Sequence, residues 1–126
     1  MAMVDDEKFK CFVRYMINAA KQKRCVPYYE IENVFGLNHK QAGWYAGKLG
    51  DLCIYLKFPP LNGLVISSTA CIPSHGFNWY QNTYGKPWGE IVQACWKKFH
   101  IKSSRAKQAQ DFDGLDAIIG NFLEED

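Results

Sequence analysis

The sequence lacks the long apolar segment that a membrane-spanning helix requires, because no uncharged apolar run approaches ~18 residues. It also lacks any Cys-x-x-Cys pair, and its five cysteines are an odd number, which excludes a complete set of disulfides. The N-terminal residues turn acidic at Asp5 and contain no basic-then-apolar secretion signal. We therefore expect a cytoplasmic protein that does not enter a membrane, with reduced and mostly buried thiols.

Motifs for nucleotide hydrolysis, hydride transfer and paired-carboxylate catalysis are also missing. The best enzymatic candidate is Ser74-His75 in a Pro-Ser-His-Gly turn, but adjacent side chains usually diverge and no acid accompanies them. Cys71 and His75 form a single i, i+4 pair, whereas zinc sites normally show paired short spacings. We expect no enzymatic activity, no cofactor and no metal site.

Charge is distributed unevenly along the 126 residues. Residues 1–110 contain all 15 Lys and Arg against 7 acids, whereas residues 111–126 contain 6 acids and no base. The length and a hydrophobic fraction of 48% predict one globular domain at 1–110, followed by an acidic C-terminal amphipathic helix or tail at 111–126. A basic body favours polyanionic partners, although its excess of positive charge is modest for a nucleic-acid-binding protein.

Periodic apolar residues and capping signals predict a mostly helical α+β fold. Helices are expected at about 5–24, 27–35, 39–57 and 88–99, with a short one in the acidic tail. The β-branched stretch at 61–69 predicts a strand, and the aromatic stretch from Phe77 to Trp88 predicts a structured loop or a β-wing.

Two of these helices are joined by Gly36-Leu37-Asn38, the form of a helix-turn-helix. The polar face of the helix at 39–57 contains side chains that bind bases or phosphates in DNA-binding proteins: His39, Lys40, Gln41, Trp44 and Lys48. Further candidate phosphate contacts are Arg14, Lys97 and Lys98. We therefore expect a non-enzymatic winged-helix-like protein that binds double-stranded DNA through this helix.

Two segments within 26–66 resemble the winged-helix domain of alkylguanine alkyltransferases and alkyltransferase-like proteins. Val26-Pro27-Tyr28-Tyr29-Glu30-Ile31 is close to the family's V-T-Y-G-E-I motif, and a strand follows the prolines as in its P-C-H-R-V-V segment. Pro60-Leu61-Asn62 replaces Pro-Cys-His, so the alkyl-accepting cysteine and its histidine are missing. The resemblance implies a winged-helix topology without alkyl transfer. Residues 30–38, 59–66 and 73–77 together also resemble small bacterial and phage proteins.

Other interpretations of the same residues stay open. A polar outer face also occurs on helical hairpins that never contact DNA. A small phage- or prophage-type inhibitor or adaptor can bind a protein partner through the helix-turn-helix face and the aromatic loop 77–88, with anchors at Trp79, Tyr80, Tyr84 and Trp88. The acidic C-terminal helix can dock on its own domain, on a partner, or over the basic body in competition with nucleic acid.

Overall fold

The computed structural model describes residues 4–67, 77–99 and 113–124. In chain order, these ranges form α1 (Asp6–Lys21), β1 (Val26–Pro27), α2 (Tyr28–Phe35), α3 (His39–Leu56), a 3₁₀ turn (Leu61–Leu64), β2 (Val65–Ile66), α4 (Phe77–Tyr84), α5 (Trp88–Phe99) and α6 (Asp113–Glu124). This part of the chain is mostly helical, with one small sheet. Each of its helices is too short or too polar to cross a bilayer.

The helices predicted at 5–24, 27–35, 39–57 and 88–99 are confirmed, and the first three are shorter than predicted. α1 begins after Asp5, whose carboxylate accepts a hydrogen bond from the Lys8 backbone N–H at 2.9 Å. Such an N-cap satisfies a backbone donor that has no partner within the helix. α2 ends at Gly36, which adopts the left-handed conformation that glycine reaches without steric cost. α3 continues through three glycines to Leu56, just before the two prolines.

The strand expected at 61–69 is present only at Val65–Ile66. The preceding residues form the 3₁₀ turn, in which the Gly63 N–H donates to the Pro60 carbonyl at 2.9 Å. This turn places Leu61 and Leu64, three residues apart, on one side, and both are buried. An alternating strand would have pointed them to opposite faces. Residues 68 and 69 lie outside the described ranges.

The prediction of a loop or β-wing at Phe77–Trp88 is wrong, because residues 77–84 form α4. The helix places Tyr80 and Tyr84 on one side at i, i+4 spacing, and Gly85 follows it at φ +67°. The sheet is not a hairpin either. β1 and β2 are parallel, with Val26 opposite Val65, and the described residues contain no second sheet.

The core lies along α1, whose large apolar side chains are almost fully buried. The helix packs against α3, α5, α6 and the 3₁₀ turn. On α6, Ile119 and Leu123 are buried in the same core. The acidic C-terminal helix therefore docks on its own domain, which was one of the three placements left open.

A polar cluster joins α1 to α2. Glu30 on α2 accepts hydrogen bonds from the Tyr15 hydroxyl on α1 and from the Arg24 guanidinium in the connecting segment. Arg24 also donates to the Cys25 carbonyl at 3.2 Å. The hydrogen bond from Arg24 lowers the pKa of Glu30 below its ordinary value of 4.5. This cluster fixes the orientation of α2 beside α1.

Gly63 sits where a side chain has no room. A Cβ placed there would lie 2.9 Å from Cγ2 of Ile91, which is itself buried. We expect Gly63→Ala to lower the free energy of unfolding by about 1–3 kcal/mol, the usual cost of overpacking. Gly43→Ala is the matched control: a Cβ on Gly43 meets nothing within 4 Å, so the substitution should stabilise α3 by up to about 1 kcal/mol. Urea denaturation compares the two variants, and equal stabilities would contradict the packing at Gly63.

The Glu30 cluster predicts a pH-dependent contribution to stability. A carboxylate whose pKa is lowered by folding stabilises the native state at pH values above its unfolded pKa, and this contribution disappears as pH falls through the folded pKa. We expect Glu30→Gln to cost about 1 kcal/mol at pH 7, a modest figure because solvent reaches Arg24. The difference from the unmodified protein should shrink below the ordinary pKa of 4.5. Denaturation at a series of pH values measures it, and a constant difference would argue against this origin.

Candidate nucleic-acid interface

The α2–α3 pair is held by a short, well-capped turn. Gly36 ends α2, and Asn38 begins α3 with a capping box. The Asn38 side chain accepts from the Gln41 backbone N–H at 2.8 Å, and the Gln41 side-chain Oε1 accepts from the Asn38 backbone N–H at 3.0 Å. The first backbone donors of α3 are partly satisfied in this way. The turn is thus a rigid junction between the two helices.

Gln41 is consequently less available for reading a base than the sequence suggested. Bidentate recognition of adenine uses both the carbonyl oxygen and the amide nitrogen of glutamine. In this structure the carbonyl oxygen is occupied by the Asn38 N–H. Any adenine contact through both atoms would have to break half of the capping box.

His39 links the two helices and remains accessible. Its Nδ1 lies 3.2 Å from a Glu32 carboxylate oxygen, and its ring centroid lies 5.5 Å from that of Tyr28. Both partners are on α2, while 79% of the His39 side chain is exposed. The residue therefore stands at the exposed junction of the two helices, beside the N-terminus of α3.

A polar stripe continues from this junction along α3. Lys40 is exposed and places its Nζ 5.6 Å from the centroid of the half-buried Trp44 ring. Gln41, Trp44 and Lys48 are spaced at i, i+3 and i+7, which puts them on one side of the helix. We call Lys40, Gln41, Trp44 and Lys48 the α3 stripe.

Two of the predicted contacts lie under α6. Arg14 on α1 forms an ion pair with Asp116 of α6, and both side chains are about two-thirds buried. Lys48 places its Nζ 5.0 Å from the ring centroid of Phe122. The acidic helix α6 therefore contacts both Arg14 on α1 and the C-terminal part of the α3 stripe.

Lys97 and Lys98 lie elsewhere. They are in the last turn of α5, where Lys98 places its Nζ 5.1 Å from the Phe58 ring. Phe58 follows the C-terminus of α3, and a helix of 18 residues is about 27 Å long. These two lysines are therefore at the opposite end of α3 from His39 and Lys40, and they do not form one cluster with them.

The four aromatic residues considered for partner binding have different environments. Tyr80 is only 4% exposed, so it is a core residue, and burial raises its pKa. Trp88 is half-buried and donates from Nε1 to the Gly63 carbonyl at 2.7 Å. Tyr84 is half-buried, and burial raises its pKa to about 12. Trp79 is in α4, but its side chain lies outside what the structure describes.

A groove near the C-terminus of α3 was not anticipated from the sequence. It has a volume of about 430 Å³, and Tyr84 and two lysines, Lys57 and Lys86, are among its lining residues. Lys57 caps α3 in a left-handed conformation (φ +60°, ψ +35°), which is uncommon for a residue with a side chain. The two prolines that follow Lys57 and Phe58 signalled the end of the helix, but not this conformation.

None of the described cysteines forms a disulfide, but the thiols are less uniformly buried than predicted. Cys53 and Cys95 are buried, Cys25 is half-buried and Cys11 is exposed. Burial raises the pKa of Cys53 to about 12, which keeps this group a thiol. Within residues 4–67, 77–99 and 113–124, no three His, Cys, Asp or Glu side chains are grouped so as to hold a metal ion. Cys71, Ser74 and His75 lie outside these ranges.

Comparison with known proteins identifies no relative: no protein family, curated protein or solved structure matches this chain.

The capping box predicts a specific loss of stability at the turn. Asn38→Ala removes the side-chain acceptor for the Gln41 N–H and should lower the free energy of unfolding by about 1 kcal/mol. Asn38→Ser is the control, because a serine hydroxyl can accept the same hydrogen bond and should retain most of the stability. Guanidinium chloride denaturation followed by circular dichroism distinguishes them. Equal losses in both variants would show that the cap does not stabilise α3.

Proposed function

We propose that this protein binds double-stranded DNA through a winged-helix-like helix-turn-helix, with α3 as the recognition helix. The observation that carries the proposal is the α3 stripe. It begins at a rigid, exposed junction and presents two lysines and a tryptophan along one side of a long helix. A recognition helix of this kind enters the major groove with its N-terminal residues next to the bases.

The residues of the stripe would have different roles. Lys40 has an exposed ammonium group at the start of α3, suited to a phosphate or a guanine edge. The positive end of the α3 dipole favours a phosphate at the same place. Trp44 supplies an apolar surface below Lys40, and His39 adds a further donor beside it. Lys48 and Arg14 would contact phosphates once α6 moves away from them.

The paired strands bring the two ends of the helix-turn-helix together. Val26 at the start of the helix-turn-helix and Val65 beyond its end lie opposite each other in a parallel pair. These strands belong to the two segments that resemble the alkyltransferase-like family, so the chain enters and leaves the helix-turn-helix at one point. Lys97 and Lys98, at the far end of α3, would serve only a duplex that extends beyond this helix.

The proposal predicts binding that weakens steeply with salt. Each phosphate neutralised by a lysine or arginine releases counterions, so the logarithm of affinity falls with the logarithm of salt concentration. We expect the double variant Lys40→Glu, Lys48→Glu to lose at least about tenfold in affinity for a mixed-sequence duplex and to show a shallower salt dependence. Fluorescence anisotropy of a labelled duplex at several salt concentrations measures both.

Lys86→Glu is the control, because it also replaces a lysine with a glutamate. Lys86 is exposed and lines the groove together with Lys57. Lys57 follows Lys48 by nine residues along the chain. A single reversal at Lys86 should weaken binding far less than Lys40→Glu alone. Melting temperatures confirm that each variant folds. Undetectable or salt-independent binding by the unmodified protein would contradict the proposal.

A second candidate function is binding to a protein partner, as an inhibitor or adaptor. The observation that favours it is the groove at the end of α3, next to the exposed apolar side chains Ile54 and Tyr55. Tyr84 lines this groove, whereas the burial of Tyr80 removes one of the anchors first considered. Reversal of Lys40 and Lys48 would spare such an interaction, and Tyr84→Ala would weaken it.

A further inference from the structure

We propose that α6 is an acidic cover that competes with DNA phosphates for Arg14 and Lys48, so that DNA binding and α6 docking oppose each other. This inference rests on the proposed DNA-binding function and adds its regulation by a segment of the same chain.

The first contact occupies the guanidinium of Arg14. This group pairs with the Asp116 carboxylate, and 34% of the Arg14 side chain remains exposed. A guanidinium binds carboxylate and phosphate oxygens with the same planar array of donors. Asp116 therefore holds the position that a DNA phosphate would take on Arg14, and both anions cannot occupy it together.

The second contact covers part of the α3 stripe. Phe122 lies against Lys48, and its ring centroid is 5.3 Å from that of Tyr55, two turns further along α3. The α6 backbone also approaches α1, where a Cβ on Gly120 would lie 4.0 Å from the Lys10 ammonium. The helix thus crosses the C-terminal part of the α3 stripe and leaves Lys40 and His39 uncovered.

The charge of α6 opposes that of the surface beneath it. Asp113, Asp116 and Glu124 are its only charged residues, so the helix is purely acidic. DNA approaching the α3 stripe would be repelled by the carboxylates of Asp116 and Glu124 until the helix leaves. A duplex would also offer several phosphates in exchange for the single carboxylate that Arg14 loses.

Buried side chains hold α6 on the core, while its short length and its two glycines allow its release. Ile119 and Leu123 are buried in the core, whereas Ile118 on the same helix is 40% exposed. The helix has 12 residues and contains Gly114 and Gly120, so it has little helical stability apart from its docking. Because α6 belongs to the same chain, its high effective concentration keeps it docked in the absence of DNA.

The test compares full-length variants that weaken α6 contacts without removing its buried side chains. Asp116→Asn retains the shape of the side chain and removes its charge, and Phe122→Ala uncovers Lys48. We expect each to bind a mixed-sequence duplex more tightly, and the double variant to gain at least about fivefold, the lower end of typical coupling between sites. Glu90→Gln is the control for net charge, because Glu90 is exposed in the first turn of α5. It should change the affinity less than twofold.

Amide hydrogen exchange provides a readout that does not depend on affinity. Exchange across residues 113–124 should be slow in the free protein and should accelerate when saturating duplex is added. A melting curve for each variant verifies that the rest of the chain remains folded.

The outcomes separate this inference from the function on which it rests. If the unmodified protein and all variants bind DNA equally well, and residues 113–124 stay protected in the complex, α6 does not compete and DNA binding stands. If the variants bind no DNA even at low salt, both proposals are overturned. If the α6 variants bind more tightly than the unmodified protein and residues 113–124 lose protection in the complex, both are supported.

Discussion

Burial of the apolar side of α1 is the interaction on which the rest of the structure depends. Phe9, Phe12 and Met16 have no exposed surface, and the elements that bury them come from every part of the described chain. The large rings meet edge-on: Phe12 packs against Phe35 of α2 and Tyr45 of α3 at nearly perpendicular angles. The same helix therefore fixes the inner sides of α2 and α3, while His39 and Lys40 on the outer side of α3 stay open to solvent.

α1 also connects the proposed binding face with its proposed cover. Its buried side supports α3, whereas Arg14, on its more exposed side, holds Asp116 of α6. In the sequence, the basic body is separate from the acidic tail, and residues 111–126 contain 6 acids and no base. In the structure, the two regions contact each other within the chain. Two surfaces of opposite charge within one chain are brought together by apolar residues, chiefly Ile119 and Leu123.

Capping residues, glycine and prolines were sufficient to predict α2 and α3. They were insufficient for elements and contacts that depend on tertiary packing. The Asn38 cap, the Gly36 terminator and the prolines after Phe58 bracket α2 and α3 within a residue or so of their observed ends. The segment at 77–84 contains aromatic and turn-forming residues, which mask its helical spacing. It forms a helix in which Tyr80 is buried. Candidate site residues were found by type and position on α3. Their competing contacts, such as Gln41 Oε1 in the cap and Phe122 over Lys48, depend on partners that spacing alone does not reveal.

The parallel pairing of Val26 with Val65 has a consequence for how this protein can change during evolution. Adjacent strands lie about 4.8 Å apart, so the chain enters and leaves the segment that contains α2 and α3 at neighbouring points. The exposed side chains of α2 and α3 can therefore change without separating the chain ends that join this segment to the core. The fold thereby allows the proposed recognition surface to change while α1 and its packing partners remain the same.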